Sequence, residues 1–272
     1  MASDIPALEG SWALILGASS GFGEAASLAL ARKAGMNIFG VHLDRRSTME
    51  NVERIKAEIE AAGRKAVFFN GNAADETKRA EVVEQIKQET AGAAEGMKVR
   101  VLMHSLAFGT LKPYITEKPE DSLTKPAMDM TIDVMANSII WWVQDIWRAG
   151  LFSRGSRIYG MTSAGDFRAW PAYGAVSAAK CALEAHIRQL SLELAPYGIT
   201  ANAIRAGVTD TPALRKIPGN DNMIEVAKSK NPHKRLTTPE DVADALVVLS
   251  RPETQWMTGN VLGVDGGEFN VD

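Results

Sequence analysis

Trp12-Ala-Leu-Ile-Leu16-Gly17-Ala-Ser-Ser-Gly21-Phe-Gly23-Glu-Ala-Ala26 is the stretch from which the rest of the chain is read. A compact apolar run, Trp12–Leu16, ends in glycine. Gly21–Lys33 then has helical spacing with many alanines, and Gly35 closes it. Strand, glycine turn and helix in that order bring free backbone amides and the positive end of a helix dipole to one point, which suits a pyrophosphate. The spacing is Gly-x-x-x-Gly-x-Gly, wider than the dinucleotide fingerprint Gly-x-Gly-x-x-Gly.

Outward from that turn, short apolar runs alternate with amphipathic stretches. Met36–Leu43 is the second run, and Thr48–Ala62 a charged helix with Val52, Ile55 and Ile59 on one stripe, closed by Gly63. Ala66–Phe69 is the third run, Asp75–Glu89 a helix with Val82, Val83 and Ile86 inward, and Val99–His104 the fourth run. A long helical region, Asp121–Ala149, precedes the fifth run at Arg157–Met161. Trp170–Ala195 reads as a long helix, Ile199–Ile204 as the sixth run, Pro239–Ser250 as a helix and Val261–Val264 as the seventh run. Alternation maintained this far predicts an α/β fold: a Rossmann-like, doubly wound parallel sheet of about seven strands with helices on both faces. Ligands in such sheets bind at the carboxyl ends of the strands. No linker or repeat interrupts the pattern, so residues 1–272 are expected to form a single domain.

Composition narrows the function classes. The 272 residues carry 30 basic and 33 acidic side chains, a net charge of −3, without the basic excess of a nucleic-acid platform. Cys181 is the single cysteine, which excludes an intrachain disulfide and a cysteine-based zinc cluster. No apolar run approaches the roughly 18 residues of a membrane helix. Met1-Ala-Ser-Asp-Ile-Pro6 has no basic region followed by an apolar one, so a cytoplasmic compartment is expected. His42, His104, His186 and His233 lack metal-ligand spacing, and His104 reads as a strand-end core residue. Trp141, Trp142 and Trp147, on one helix, suit core packing or a subunit interface.

The second run ends His42-Leu-Asp44-Arg45-Arg46. A carboxylate at that point accepts hydrogen bonds from ribose hydroxyls and repels a 2′-phosphate. Arginine binds that phosphate through a charge-assisted fork. Two arginines after one aspartate favour NADPH, with NADH as the alternative.

The glycine spacing resembles the short-chain dehydrogenase/reductase family, and the resemblance runs from Trp12 to Gly267. It implies a cofactor loop of Gly17, Gly21 and Gly23, with Ser19 and Ser20 near phosphates and Phe22 in the same turn. It places Asn72 and Ala73 at adenine, and Ser105, Leu106, Ala107, Val208 and Thr211 along the cofactor. Leu16 stands where the family usually has threonine. Most members carry Tyr-x-x-x-Lys, but four residues before Lys180 lies Val176. Tyr173 lies seven residues before Lys180, about 20° short of two helical turns, so both side chains are expected on one face. Tyr-x6-Lys is similar to the enoyl-acyl-carrier-protein reductases of the superfamily, as are His104-Ser-Leu-Ala-Phe-Gly109, Ala206-Gly-Val-Thr-Asp-Thr211-Pro-Ala-Leu214 and Val264-Asp-Gly-Gly267. Met135 occupies the position of the family's relay asparagine, with Asp133 two residues earlier.

The resemblance implies an NADPH-dependent enoyl-thioester reductase of fatty-acid synthesis. Tyr173 stabilises the thioester enolate, Lys180 binds the nicotinamide ribose and biases the tyrosine, and Ser163 adds a second hydrogen bond. Many enoyl reductases carry a second tyrosine where this chain has Ser163. The other readings are a carbonyl reductase, such as a 3-oxoacyl reductase, and a nicotinamide-binding regulator without turnover. Thr211–Leu236 carries six basic residues against Asp221 and Glu225, and Pro212, Pro218 and Pro232 are expected to keep it irregular. It reads as a substrate lid whose basic face would steer an acidic acyl carrier protein. A homotetramer or homodimer is the family's habit.

Overall fold

A computed structural model describes residues 7–94 and 96–271. Met1–Pro6, the stretch read for a leader, lies outside the described residues. Seven strands form one parallel sheet: β1 (Trp12–Leu16), β2 (Asn37–His42), β3 (Ala66–Asn70), β4 (Val99–His104), β5 (Arg157–Ser163), β6 (Thr200–Ala206) and β7 (Val261–Val264). Their order is β3-β2-β1-β4-β5-β6-β7. The chain winds outward from β1 to β3, returns to the other side of β1 and winds outward again. The winding reverses between β1 and β4, which opens a crevice at their carboxyl ends.

Alternate side chains of each strand feed two cores. Leu14, Leu16 and Leu102 pack against α3 (Glu76–Glu89), α5 (Ser138–Arg148) and α6 (Gly174–Leu194) through Val82, Ile86, Ile139, Trp142, Leu183 and Ile187. Ala13, Ile15 and Met103 pack on the other face against α1 (Gly21–Ala34), α2 (Met49–Ala61) and α8 (Pro239–Leu249) through Ala26, Leu30, Ile55, Ile59, Val242 and Leu246. Both faces of the sheet are thus covered, which is why the strands read as continuous apolar runs.

Three expectations change. The helical region expected over Asp121–Ala149 starts at Lys125 and runs as α4 (Lys125–Ile132), a π turn (Asp133–Asn137) and α5. Thr131 and Ser138 each return a hydroxyl to the carbonyl four residues back, a bond that competes with the regular ladder. The long helix α6 starts at Gly174, not Trp170, because Pro171 follows Trp170 and Ala172 adopts φ +61°, outside the helical region. Thr211–Leu236 is not irregular throughout: Asn220–Lys230 is α7, fitted between Pro218 and Pro232.

The tryptophans divide. Trp142 is fully buried and its indole N–H donates to Ala73 O at 2.8 Å, whereas Trp141 and Trp147 are 41% and 43% exposed. Among the described residues no helix is long and apolar enough to cross a membrane.

Candidate active site

Close backbone packing builds the crevice. Gly17 has φ +90°, and a Cβ on it would lie 2.5 Å from Ser105 O. A Cβ on Gly23 would lie 2.0 Å from Gly17 O. Only glycine lets the β1 turn, the first turn of α1 and the end of β4 approach this closely. Ser20 caps α1 with no side-chain hydrogen bond, so its hydroxyl and the amides of Gly21, Phe22 and Gly23 are available to an anion. A pyrophosphate fits this cradle. Thr211 packs against Gly21, and its hydroxyl accepts from Leu214 N, so the proposed lid begins on the glycine loop.

At the end of β2, Asp44 Oδ2 lies 3.0 Å from the buried His42 Nδ1. Asn70 brackets the Asp44 backbone: its Oδ1 accepts from Asp44 N and its Nδ2 donates to Asp44 O. Burial works against ionisation of Asp44, but hydrogen bonds with Ser19, Thr48 and His42 outweigh it and hold the carboxyl below its ordinary value. Burial holds His42 below its ordinary value, against the pull of Asp44, so the pair is a neutral imidazole beside a carboxylate at pH 7. Arg45 and Arg46 are exposed and pair with no carboxylate among the described residues.

The residues that the family resemblance assigns to the rest of the cofactor are partly engaged within the protein. Asn72 Oδ1 accepts from Ala74 N, and Ala73 is buried with its carbonyl bonded to Trp142. Ser105 N donates to Leu16 O, placing the Ser105-Leu106-Ala107 segment at the mouth of the crevice. Val208 N donates to the Glu268 carboxylate, at 3.1 Å to Oε2. The C-terminal segment therefore reaches the strand-end loop that the family resemblance places along the cofactor.

Ser163 ends β5 and caps the 3-10 turn Ala164–Asp166, accepting from Gly165 N at 3.2 Å. Tyr173 lies over that turn, with its ring edge 2.4 Å from where a Cβ on Gly165 would sit. Burial pushes the phenol above its ordinary value, and a hydrogen bond with the Ser163 hydroxyl partly offsets this. Tyr173 is the residue before α6, with φ −93° and ψ −1°. Its position is set by the preceding turn as well as by the helix. Trp170, in that turn, donates its indole N–H to Pro218 O at 3.1 Å, tying it to the 211–236 segment.

Lys180 is buried on α6, and its Nζ donates to Met161 O at 2.7 Å. Burial lowers its pKa to about 8, with Glu184 pulling the other way. Val176, where a Tyr-x-x-x-Lys member has its phenol, is buried and packs with Met135 and Thr131 around Gly109. Met135 puts an apolar thioether where the family's relay asparagine would stand. His104 is buried too: Ser138 Oγ, which donates to Val134 O, lies 2.8 Å from its Nε2. Burial, helped by the nearby Lys180 charge, drops His104 to about 3, so it is a neutral structural imidazole.

Sequence reasoning missed three groups. Tyr114, in the irregular stretch after β4, lays its ring on Gly174 with the hydroxyl 2.7 Å from a Cβ position there. His42 backs Asp44. Asp166, Glu184 and Arg205 form a buried cluster behind the Ser163 turn. An acidic residue on an otherwise buried helix face was the available signal for Glu184.

A family model described as enoyl-(acyl carrier protein) reductase matches residues 17–268. The chain belongs to this family. It is a branch of the short-chain dehydrogenases/reductases, which are NAD(P)-dependent oxidoreductases. The 1-cyclohexenylcarbonyl-CoA reductase of Streptomyces collinus is 25% identical over 93% of this chain and 85% of its own. A 3-oxoacyl-[acyl-carrier-protein] reductase of Thermotoga maritima is 27% identical over 96% and 98%. The crystal structure of the NADH-dependent enoyl-[acyl-carrier-protein] reductase of Aquifex aeolicus VF5 superposes with a TM-score of 0.82 at 22% identity, covering 96% of this chain and 97% of that one. The last likeness speaks for the fold.

Proposed function

We propose that this short-chain reductase reduces the carbon–carbon double bond of a trans-2-enoyl thioester with NADPH. The observation that carries the reading is Tyr173: it is the phenol that faces Ser163, seven residues ahead of Lys180, while the four-residue position is the buried Val176. When bound, the reduced dinucleotide supplies the hydride. Gly17, Ser19, Ser20, Gly21, Phe22 and Gly23 would hold its phosphates. Asn72, Ala73, Ser105, Leu106, Ala107, Val208 and Thr211 would line the rest of its path.

Reducing a double bond conjugated to a thioester moves negative charge onto the thioester oxygen. Tyr173 donates a hydrogen bond to that oxygen, and Ser163 orients the phenol. Lys180, as an ammonium ion, lowers the cost of charge on the phenol and offers donors to a ribose.

Support for NADPH comes from the end of β2. Asp44 is already engaged by Ser19, Thr48 and His42, whereas Arg45 and Arg46 have no described partner and are available to a 2′-phosphate. NADH remains the alternative because Asp44 is ionised. For an acyl carrier protein the support is thinner than the sequence charge suggests. Arg215 is bidentate to Asp210, and Arg235 to Asp241, so two of the six lid cations are neutralised by acids flanking the segment. The exposed Trp141 and Trp147, the latter stacked edge-on with Tyr197, support a homodimer or homotetramer, and sedimentation velocity measures which.

Ser163, in place of a second tyrosine, supports keto reduction as a second reading. Dinucleotide oxidation with crotonyl and longer enoyl thioesters, beside matched 3-oxoacyl thioesters and simple ketones, separates the two. Turnover of ketones without turnover of enoyl thioesters would overturn the first reading.

A further inference from the structure

A largely buried cluster of ionisable side chains lies directly behind the Ser163 turn. Three residues of α6, spaced to share one face, grip that turn. The Ser177 hydroxyl donates to Gly165 O, Cys181 Sγ donates to Asp166 O at 3.2 Å, and the Glu184 carboxyl lies against the Asp166 carboxyl. From the neighbouring strands, Arg205 Nη2 donates to Asp166 Oδ2 at 2.7 Å and lies 3.8 Å from Glu184 Oε1, which also accepts from Thr162 Oγ1 at 2.8 Å. The Phe269 ring covers the Arg205 guanidinium at 4.3 Å and seals the cluster from the C-terminal side.

The hydrogen-bond count of this cluster leaves a gap. Asp166 Oδ1 is buried with no donor among the described residues, and Arg205 Nε, which points away from it in the fork that binds Oδ2, is buried with no acceptor. A carboxylate is acceptor-only, and two carboxylates in contact do not both ionise cheaply. A proton on Glu184 supplies the missing donor, keeps its Oε1 free for Thr162, and leaves one carboxylate facing one guanidinium. The other titratable groups acting on the pair are Lys180 and Cys181 on α6.

We propose that Asp166, Glu184 and Arg205 form a clamp holding one shared proton, which locks the turn that carries Ser163 and seats Tyr173, and that the three are positioning residues for the reduction. The proposal rests on the reading that Ser163 and Tyr173 face the substrate oxygen. Losing the proton sets two carboxylates against each other behind the turn, so the turn loosens and the Ser163–Tyr173 contact goes with it. Burial and the Asp166 contact raise Glu184 to about 7, so the clamp would open in the neutral range.

The test uses the full chain with Glu184→Gln, Glu184→Ala and Asp166→Asn variants. Glutamine keeps an acceptor for Thr162 and a donor for Asp166 at every pH. Carbon-13 NMR of glutamate-labelled protein should show one carboxyl titrating near neutrality that is missing from E184Q. Hydrogen exchange of residues 164–168 should quicken in E184A, at least tenfold, and remain as in the parent in E184Q. In turnover, E184A should lose at least tenfold in kcat with the dinucleotide KM within twofold, E184Q should recover most of the loss, and the inflection near pH 7 should vanish from the E184Q profile. Asp166→Asn, which keeps an acceptor for Arg205, should match E184Q if alanine impairs folding. A Glu184 carboxyl that titrates in the ordinary carboxylate range, or exchange at 164–168 that is unmoved in E184A, overturns the clamp. Normal exchange and titration results with no turnover of any thioester or ketone would instead count against the proposed function.

Discussion

The two halves of the carboxyl edge are built from different materials. At the ends of β1 and β4 the crevice is backbone against backbone: Gly17 on Ser105, Gly23 on Gly17. At the end of β5 the site is side chain on turn: Ser177, Cys181 and Glu184 hold the loop on which Ser163 and Tyr173 meet. Backbone packing specifies glycine and tolerates nothing larger. A side-chain lattice can be rebuilt residue by residue, which lets the tyrosine sit seven positions from the lysine instead of four. The difference predicts that the β1 half controls affinity for the dinucleotide and the β5 half controls turnover.

Tyr173→Phe is the sharpest break. It should lower kcat by about 10²–10³-fold, the usual cost of one oxyanion donor, while dinucleotide affinity measured by fluorescence quenching stays within twofold. Loss of both together would erase the division. Gly23→Ala is the converse. Its Cβ meets Gly17 O at 2.0 Å, and overpacking of about 1–3 kcal/mol should weaken dinucleotide binding roughly 5- to 150-fold without a matching fall in kcat at saturation.

The next test is pH. In the proposed mechanism Lys180 acts as an ammonium ion, and burial lowers its pKa to about 8, so kcat/KM should fall tenfold per unit above pH 8. Stability moves the opposite way. The folded chain releases this proton at lower pH than the unfolded chain, so unfolding free energy should rise between pH 8 and the ordinary lysine range. Urea titrations at pH 7.5 and 9.5 check the sign, and Lys180→Met should flatten it.

Arg45→Ala with Arg46→Ala should raise the NADPH KM about tenfold or more, from the loss of a charge-assisted bond of roughly 1.5–3 kcal/mol, and leave the NADH KM unchanged. An equal change for both dinucleotides would locate the arginines off the 2′-phosphate. The smallest effect is at Ala172, whose φ of +61° precedes Tyr173. Left-handed backbone costs a non-glycine residue roughly 1–2 kcal/mol, offset in part by the entropy glycine loses on folding. Ala172→Gly should therefore raise stability by at most about 1 kcal/mol, read by thermal denaturation.

The same contrast explains what the sequence revealed. All seven strands were legible because a sheet covered on both faces demands unbroken apolar runs. The glycine loop was legible because close approach leaves only one residue type. Helix α7 was not, since Pro218 and Pro232 looked like breakers when they in fact bound it on either side. The start of α6 was misplaced by four residues because Ala172 carries no chemical mark of a left-handed turn. Tyr173 and Lys180 were singled out by their spacing and Ser163 by the family resemblance, but Glu184 and Arg205 meet only once β6 lies beside β5, and nothing local announces that.

The π turn Asp133–Asn137 carries one more consequence. A wider turn contains a residue beyond what a continuous α-helix requires. Removing a residue from α4 or α5 proper rotates everything beyond it by 100° and swings Ile139, Trp142 and Ile146 off the core. Removing one within 133–137 lets the ladder close into regular helix with both flanks still in phase. This stretch beside the lysine helix is thus a place where one residue can be lost with the helix on either side still in phase, at the cost of a core side chain if Val134, Met135 or Ala136 is the one removed.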